Sequence, residues 1–262
     1  MSAIKLGIRL ESLNLPLRRG LQEAERLGVG GVQVDAVGDL APSQLSQTGR
    51  REFRHRLRTH NLELTALGCP LRHGLDVPTG LDARIEHIRA VMALAYDLGP
   101  RRVIIQAGRI PSDPASAGWQ LLREVVLALG QYGDRVGTTL ALETGLEPGT
   151  DLAAFLRPLD TGSLGVNLDP ANLLINGFDP YESTRALAGR IVHAHAHDAR
   201  RAAVNRAAQE VPLGHGDIDW MAWLGILEDI EYRGWLVVER EQGSNGLADV
   251  AAGVSFLRRF LR

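Results

Sequence analysis

TTLALETG, residues 138–145, is a short apolar run that begins just after Gly137 and ends near a carboxylate, Glu143. An amphipathic stretch, Trp119–Tyr132, precedes it, and a second, Leu152–Leu156, follows. A run of this length between helical patterns reads as one buried strand of a strand–helix unit. The unit recurs downstream as LGVNLDPAN (164–172), IVHAHAHDAR (191–200) and GWLVVERE (234–241), and upstream as IKLGIRL (4–10), GGVQVDA (30–36), LELTALG (62–68) and RRVIIQAG (101–108). Further helical patterns cover Pro16–Leu27, Ser43–His60, Leu81–Leu98, Pro180–Leu187, Trp220–Ile230 and Leu247–Leu261. Gly28, Gly99, Gly137 and Gly234 stand where helices are expected to stop. Strict alternation implies a parallel sheet with crossover helices, and eight is the number of strands that closes a barrel. The expected fold is therefore α/β, a single-domain (β/α)8 TIM barrel over residues 1–262. A doubly wound open sheet would need a glycine-rich first turn, and GIRLESLNLP is not one.

The bulk numbers fit a globular chain. It has 262 residues, 45% hydrophobic and 23% charged, with a net charge of -2. Nothing in that balance attracts nucleic acid or an anionic membrane. The basic run RREFRHRLR (50–58) has the spacing of a solvated helix face around Phe53 and Leu57. No run approaches the roughly 18 apolar residues of a membrane span. One cysteine, Cys69, rules out an intrachain disulfide framework and suits a reducing compartment, so the expected location is the cytoplasm.

Four consecutive strands of the second half end on metal-ligand side chains: Glu143, Asp169, His195 and Glu239, at intervals of 26, 26 and 44 residues. Side chains two apart share a strand face. Ala141 and Glu143 then point into the barrel, as do Asn167 and Asp169, His193, His195 and His197, and Val237, Glu239 and Glu241. Burying such groups unpaired is expensive, and a cation or salt bridges would offset the cost. Three carboxylates and an imidazole suit a hard or borderline divalent ion. The three histidines of HAHAH span about 13 Å, too far to share one ion. His193, the deepest, is expected to orient a neighbour. Arg9, Gln106 and Glu241 also face inward by alternation and are candidate substrate contacts; Glu11, Gln33 and Asp35 point inward by the same alternation. The long segments 68–80, 108–116 and 198–217 all follow strands and are expected to be irregular.

The order LxLE, NxDPAN, HxHxxD, GxGxxD and LxVE resembles the xylose isomerase-like TIM-barrel superfamily, in particular its sugar phosphate isomerase/epimerase group. The resemblance covers essentially the whole chain. It implies that Glu143, Asp169, His195 and Glu239 hold one divalent cation, Mn2+, Mg2+ or Co2+, with Zn2+ a further candidate. It implies substrate contacts from Asn172, His197 and Arg201. Ketose 3-epimerases of this group often carry histidine at the position of Asn172, and lysine is common at the position of His197. The apurinic-site endonucleases of the superfamily use extra histidine ligands from earlier strands, which DAVGD, LGCP and QAGR do not supply. The implied partner is a small carbohydrate, and a homo-oligomer is an option.

The chemistry follows from such a site. A divalent ion across adjacent carbonyl and hydroxyl oxygens acidifies the proton between them and favours the enediolate. Glu143 and Glu239, as ligands and proton-transfer groups, are the expected catalytic pair. Return of the proton gives epimerisation or isomerisation of a sugar, keto-sugar or sugar derivative. Loss of a β-hydroxyl gives the alternative, a lyase or dehydratase acting on a keto-inositol, dehydroshikimate or 3-keto-glycoside. EQGSNG (241–246) is the candidate for an anion-binding turn.

Overall fold

Strands that are apolar on both faces need cover on both sides, which a barrel wrapped in helices provides. The computed structural model describes residues 4–204 and 206–261. Residues 1–3, 205 and 262 of the expected domain lie outside the described residues. Among the described residues, eight parallel strands form a closed barrel. They are β1 (Lys5–Arg9), β2 (Gly31–Asp35), β3 (Glu63–Gly68), β4 (Arg102–Ile105), β5 (Thr139–Glu143), β6 (Leu164–Leu168), β7 (Ile191–Ala196) and, after a small antiparallel hairpin of β8 (Asp198–Arg200) and β9 (Gln209–Val211), β10 (Trp235–Val238). β10 pairs with β7 and β1 and completes the ring.

The helices are α1 (Leu17–Leu27), α2 (Gln47–Thr59), α3 (Leu81–Leu98), α4 (Ala117–Val136), α5 (Gly149–Leu156), α6 (Pro170–Ile175), α7 (Pro180–Ala186), α8 (Trp220–Asp229) and α9 (Gly246–Leu257). Gly28, Gly99 and Gly137 end α1, α3 and α4 with φ of 66°, 107° and 77°. Gly234 does something else. A Cβ there would lie 2.3 Å from the Tyr232 hydroxyl, which donates to the Trp235 carbonyl at 2.7 Å. Two elements go beyond the sequence expectation: the hairpin inside 198–217, and α6, a short helix begun by Asp169.

Outward residues such as Leu140, Leu142, Val166 and Leu168 are buried in the main core between strands and helices. Each contributes roughly 1.5–3 kcal/mol by leaving water. Inside the ring, Ala66, Ile104 and Ala141 form a separate small cluster with Val192 against it. Trp235 packs against Gly31 beneath them, where any Cβ would lie 2.7 Å from the indole. Simple alternation had placed Val192 outside. The register between β6 and β7 shifts so that Asn167 pairs with His193 while Val166 pairs with Ile191, which leaves Val192 as the extra residue. A matching shift between β2 and β3 leaves Thr65 as the extra residue beside Ala66. Such bulges re-aim side chains: here Thr65 and His193 meet inside the barrel.

Candidate metal centre

Each of the four strands delivers its ligand by a local device. Glu143 is the last residue of β5, on the face of Ala141. Asp169 follows β6 and caps α6, one oxygen accepting from the Asn172 amide at 2.8 Å while the other faces the barrel axis. One oxygen of Asp169 thus caps the helix and leaves the other free for the cluster. His195 sits on β7. Glu239 follows β10, its amide bonded to the Ala196 carbonyl at 3.1 Å. One donor atom from each of Glu143, Asp169, His195 and Glu239 lies within 4.8 Å of all the others. Nδ1 of His195 is 2.6 Å from Glu239 Oε2, 3.4 Å from Asp169 Oδ2 and 3.9 Å from Glu143 Oε1. All but Glu143, which is partly exposed, are buried.

The surroundings fit a cation. Nε2 of His195 lies 2.9 Å from Oε1 of Gln33 and donates there, which turns Nδ1 towards the carboxylates. Glu239 Oε2 is buried with no hydrogen bond of acceptable alignment, an acceptor turned towards other acceptors. The cluster demands positive charge. Burial opposes charging His195, yet Glu239, Asp169 and Glu143 push it up to about 10. Burial is also the largest influence on Glu143, which rises to about 8 with help from Glu239 and Asp169, against the pull of His195. Glu239 goes the other way: despite burial, His195, His197 and Arg9 hold it well below the usual carboxylate range. Environment thus separates the two expected proton-transfer carboxyls.

Supporting contacts tie the centre to the barrel. Asn172 donates to Glu143 at 3.0 Å. Thr144 exchanges two hydrogen bonds with the Asp169 backbone. His193 is held between Asn167 Oδ1 at 2.8 Å and Thr65 Oγ1 at 3.1 Å, and burial keeps its pKa far below the normal value. Arg9 reaches Glu239, Asp35 at 2.9 Å and Glu241 at 3.3 Å. A cavity of about 150 Å3 opens over the cluster, lined by Arg9, Gln33, Asp35, Gln106, Glu143 and Glu241 among others.

The structure brings Arg9, Gln106, Asn172 and Glu241 to this mouth or its ligands, and leaves two sequence candidates elsewhere. His197 is 1% exposed, with Nδ1 3.0 Å from Asp169 and Nε2 3.2 Å from Glu210. It stands beyond the end of β7, between two carboxylates and away from the open cavity. Arg201 is exposed on the hairpin, where its amide bonds Asp217. Asp198 serves the loop: it accepts from the amides of Gly214 and Gly216 and from the Trp220 indole. Glu147 lines a different cleft of about 870 Å3 with Arg109, Trp119 and Phe178, which none of the four ligands reaches. At the start of α9, Gly246 packs so closely on the Ser12 carbonyl that a Cβ would lie 2.2 Å from it. Glu210, whose role no sequence motif announced, joins His197 to the segment carrying Glu241.

The model of the xylose isomerase-like TIM barrel matches residues 21–260. The chain belongs to that family. It is 29% identical to the rhizopine catabolism protein MocC of Rhizobium meliloti over 261 residues, covering 88% of this chain and 76% of that protein. An inosose dehydratase of Geobacillus kaustophilus is 29% identical over 194 residues, 62% of this chain and 63% of its own length. For an inosose dehydratase of Clostridium botulinum the match covers 47% of each chain at 27% identity. The crystal structure of a xylose isomerase domain protein from Planctomyces limnophilus superposes with a TM-score of 0.87 at 26% identity, covering 98% and 96% of the two chains. An L-ribulose 3-epimerase superposes at 0.78 with 19% identity, over 98% and 94% of the chains, and shares the fold.

Proposed function

We propose that this family member is a divalent-metal-dependent isomerase or epimerase of a sugar, keto-sugar or sugar derivative, acting in the cytoplasm. The observation that carries the reading is the convergence of Glu143, Asp169, His195 and Glu239 within 4.8 Å at one barrel mouth. These four residues would hold the ion, Mn2+, Mg2+ or Co2+. When bound, it polarises a substrate carbonyl and makes the neighbouring C–H acidic.

The residues of the chain do the rest. Glu143 on β5 and Glu239 after β10 stand on separated strands, with β6 and β7 between them. They therefore approach a substrate from different walls of the mouth. Glu143 and Glu239 are the groups that would remove and return the proton. Asn172 fixes one oxygen of Glu143. Arg9, Gln106 and Glu241 stand over the cavity to meet substrate hydroxyls.

The second reading is a dehydratase of a keto-inositol or a related keto compound. The inosose dehydratases among the sequence relatives favour it, as does Asn172 at a position where ketose 3-epimerases often carry histidine. Incubation with Mn2+ in D2O against ketoses, keto-inositols and dehydroshikimate separates the two. Epimerisation or isomerisation gives a deuterated product of unchanged formula, and dehydration gives a product lighter by one water. Absence of both, with metal bound, would sink the reading.

A further inference from the structure

The hairpin β8–β9 returns the chain to the barrel with one charged residue turned inward, Glu210, which is 9% exposed. Its carboxylate accepts from two backbone amides and lies at ion-pair distance from two side-chain nitrogens. Oε1 accepts from the Glu241 amide at 2.8 Å and lies 3.2 Å from Nε2 of His197. Oε2 accepts from the Gln242 amide at 2.7 Å and lies 3.0 Å from Arg240 Nη1. On the far side of the His197 ring, Nδ1 lies 3.0 Å from Oδ2 of Asp169, the oxygen that faces the ligand cluster. The Nδ1 contact is a hydrogen bond, and Nε2 faces the Glu210 oxygen at ion-pair distance. The ring is thus packed between the Asp169 oxygen and the Glu210 carboxylate.

We propose that Glu210 is a positioning residue. Through His197 it fixes the Asp169 oxygen that faces the ion, and through the amides of 241–242 it fixes the segment that brings Glu241 to Arg9. The inference rests on the metal-centre reading above. It adds that the hairpin, which lies outside the barrel, is part of the centre: the site forms fully only with β8–β9 docked. Outer contacts of this kind commonly change metal affinity about 10- to 100-fold.

Glu210→Gln tests it. The amide keeps one acceptor oxygen, yet its NH2 must face either the Glu241 amide or the Gln242 amide and Arg240, all of them donors. Mn2+ affinity is measured by calorimetry for wild type, Glu210→Gln, His197→Phe and the double variant, with thermal melts of the metal-free proteins as the control for folding. The expected result is a loss of at least about tenfold for Glu210→Gln in the wild-type background and little further loss beside His197→Phe. An equal loss in both backgrounds, or unchanged affinity in a folded Glu210→Gln protein, overturns the proposal. If that variant does not fold, Glu210→Asp is measured in its place, because it keeps the charge but withdraws it from His197 by one methylene. Wild-type protein that takes up no Mn2+ overturns the metal centre itself, and the relay with it.

Discussion

Replacing Gln33 with methionine removes the acceptor that holds Nε2 of His195 at 2.9 Å, while keeping a side chain of similar length at a site only 2% exposed. Two outcomes are open to the imidazole. If the proton stays on Nε2, a buried N–H loses its partner, at about 1–3 kcal/mol. If it moves to Nδ1, the lone pair that faces Glu239, Asp169 and Glu143 is gone, and metal binding must move the proton back. A metal-bound imidazole is the stronger N–H donor, so the first cost too weighs more on the metal-bound state, and affinity drops about 10- to 100-fold, each tenfold being about 1.4 kcal/mol. Calorimetric titration with Mn2+ measures the affinity, and a melt of the metal-free protein shows whether the fold survives. Gln33→Glu, which still accepts from Nε2, should retain tight binding. Wild-type Mn2+ affinity in a folded Gln33→Met protein would refute the tautomer argument and the choice of Nδ1 as ligand.

Three further outcomes follow from the same geometry. Glu239→Gln should lower turnover about 10²- to 10⁴-fold, the usual contribution of a proton-transfer group, while the metal-free melting temperature moves by only a few degrees; comparable turnover in that variant contradicts the role. Mn2+ at about 100 times its dissociation constant should stabilise the protein by about 2.7 kcal/mol, reversed by chelation, and a melting temperature indifferent to both would count against the centre. Burial pushes Glu147 up to about 7 from 4.5, so the fold prefers it protonated. That contribution is complete below pH 4.5 and is lost as pH rises through 7, up to about 3 kcal/mol at about 1.4 kcal/mol per pH unit. Glu147→Gln should therefore gain melting temperature over wild type at pH 8 and not at pH 4.5, and a constant difference between the two would refute the assignment.

The barrel and the convergence of its four candidate ligands were legible because both rest on period-two alternation within short strands, and TTLALETG and LGVNLDPAN obey it. The pattern failed where the backbone inserts a residue. The shifts at Thr65 and Val192 place side chains inside that alternation puts outside or leaves undecided, and nothing in LELTALG or IVHAHAH marks a bulge. His197 was expected at the cavity because it continues the 193, 195 series, but β7 stops at Ala196 and the chain then turns into the hairpin. The hairpin was hidden because its strands are three residues long, too short for any period to register. Glu210, in QEV, therefore carried no signal until the pairing of β8 with β9 showed which way it faces. Gly234 was read as a helix stop, yet its smallness accommodates the Tyr232 ring, a contact no local rule reveals.

The contacts that fix the centre have a common direction. Gln33 on β2 reaches His195 on β7, Thr65 on β3 reaches His193 on β7, and Arg9 on β1 reaches Glu239 after β10. The first two cross the barrel interior, and the third bridges neighbouring strands at its mouth. Ligands placed by the relative positions of whole strands inherit the stiffness of a closed hydrogen-bonded ring, and a buried polar network with its partners in place adds to that stiffness. The exposed side chains, Gln106, Glu241 and Arg201, sit instead on strand ends and the hairpin, where substitutions disturb little of the core. Under the proposed function, a change of substrate therefore requires change mainly at the rim. Gln33, Thr65, His193 and Asn167 fix the proposed centre, although none of them is among its four candidate ligands.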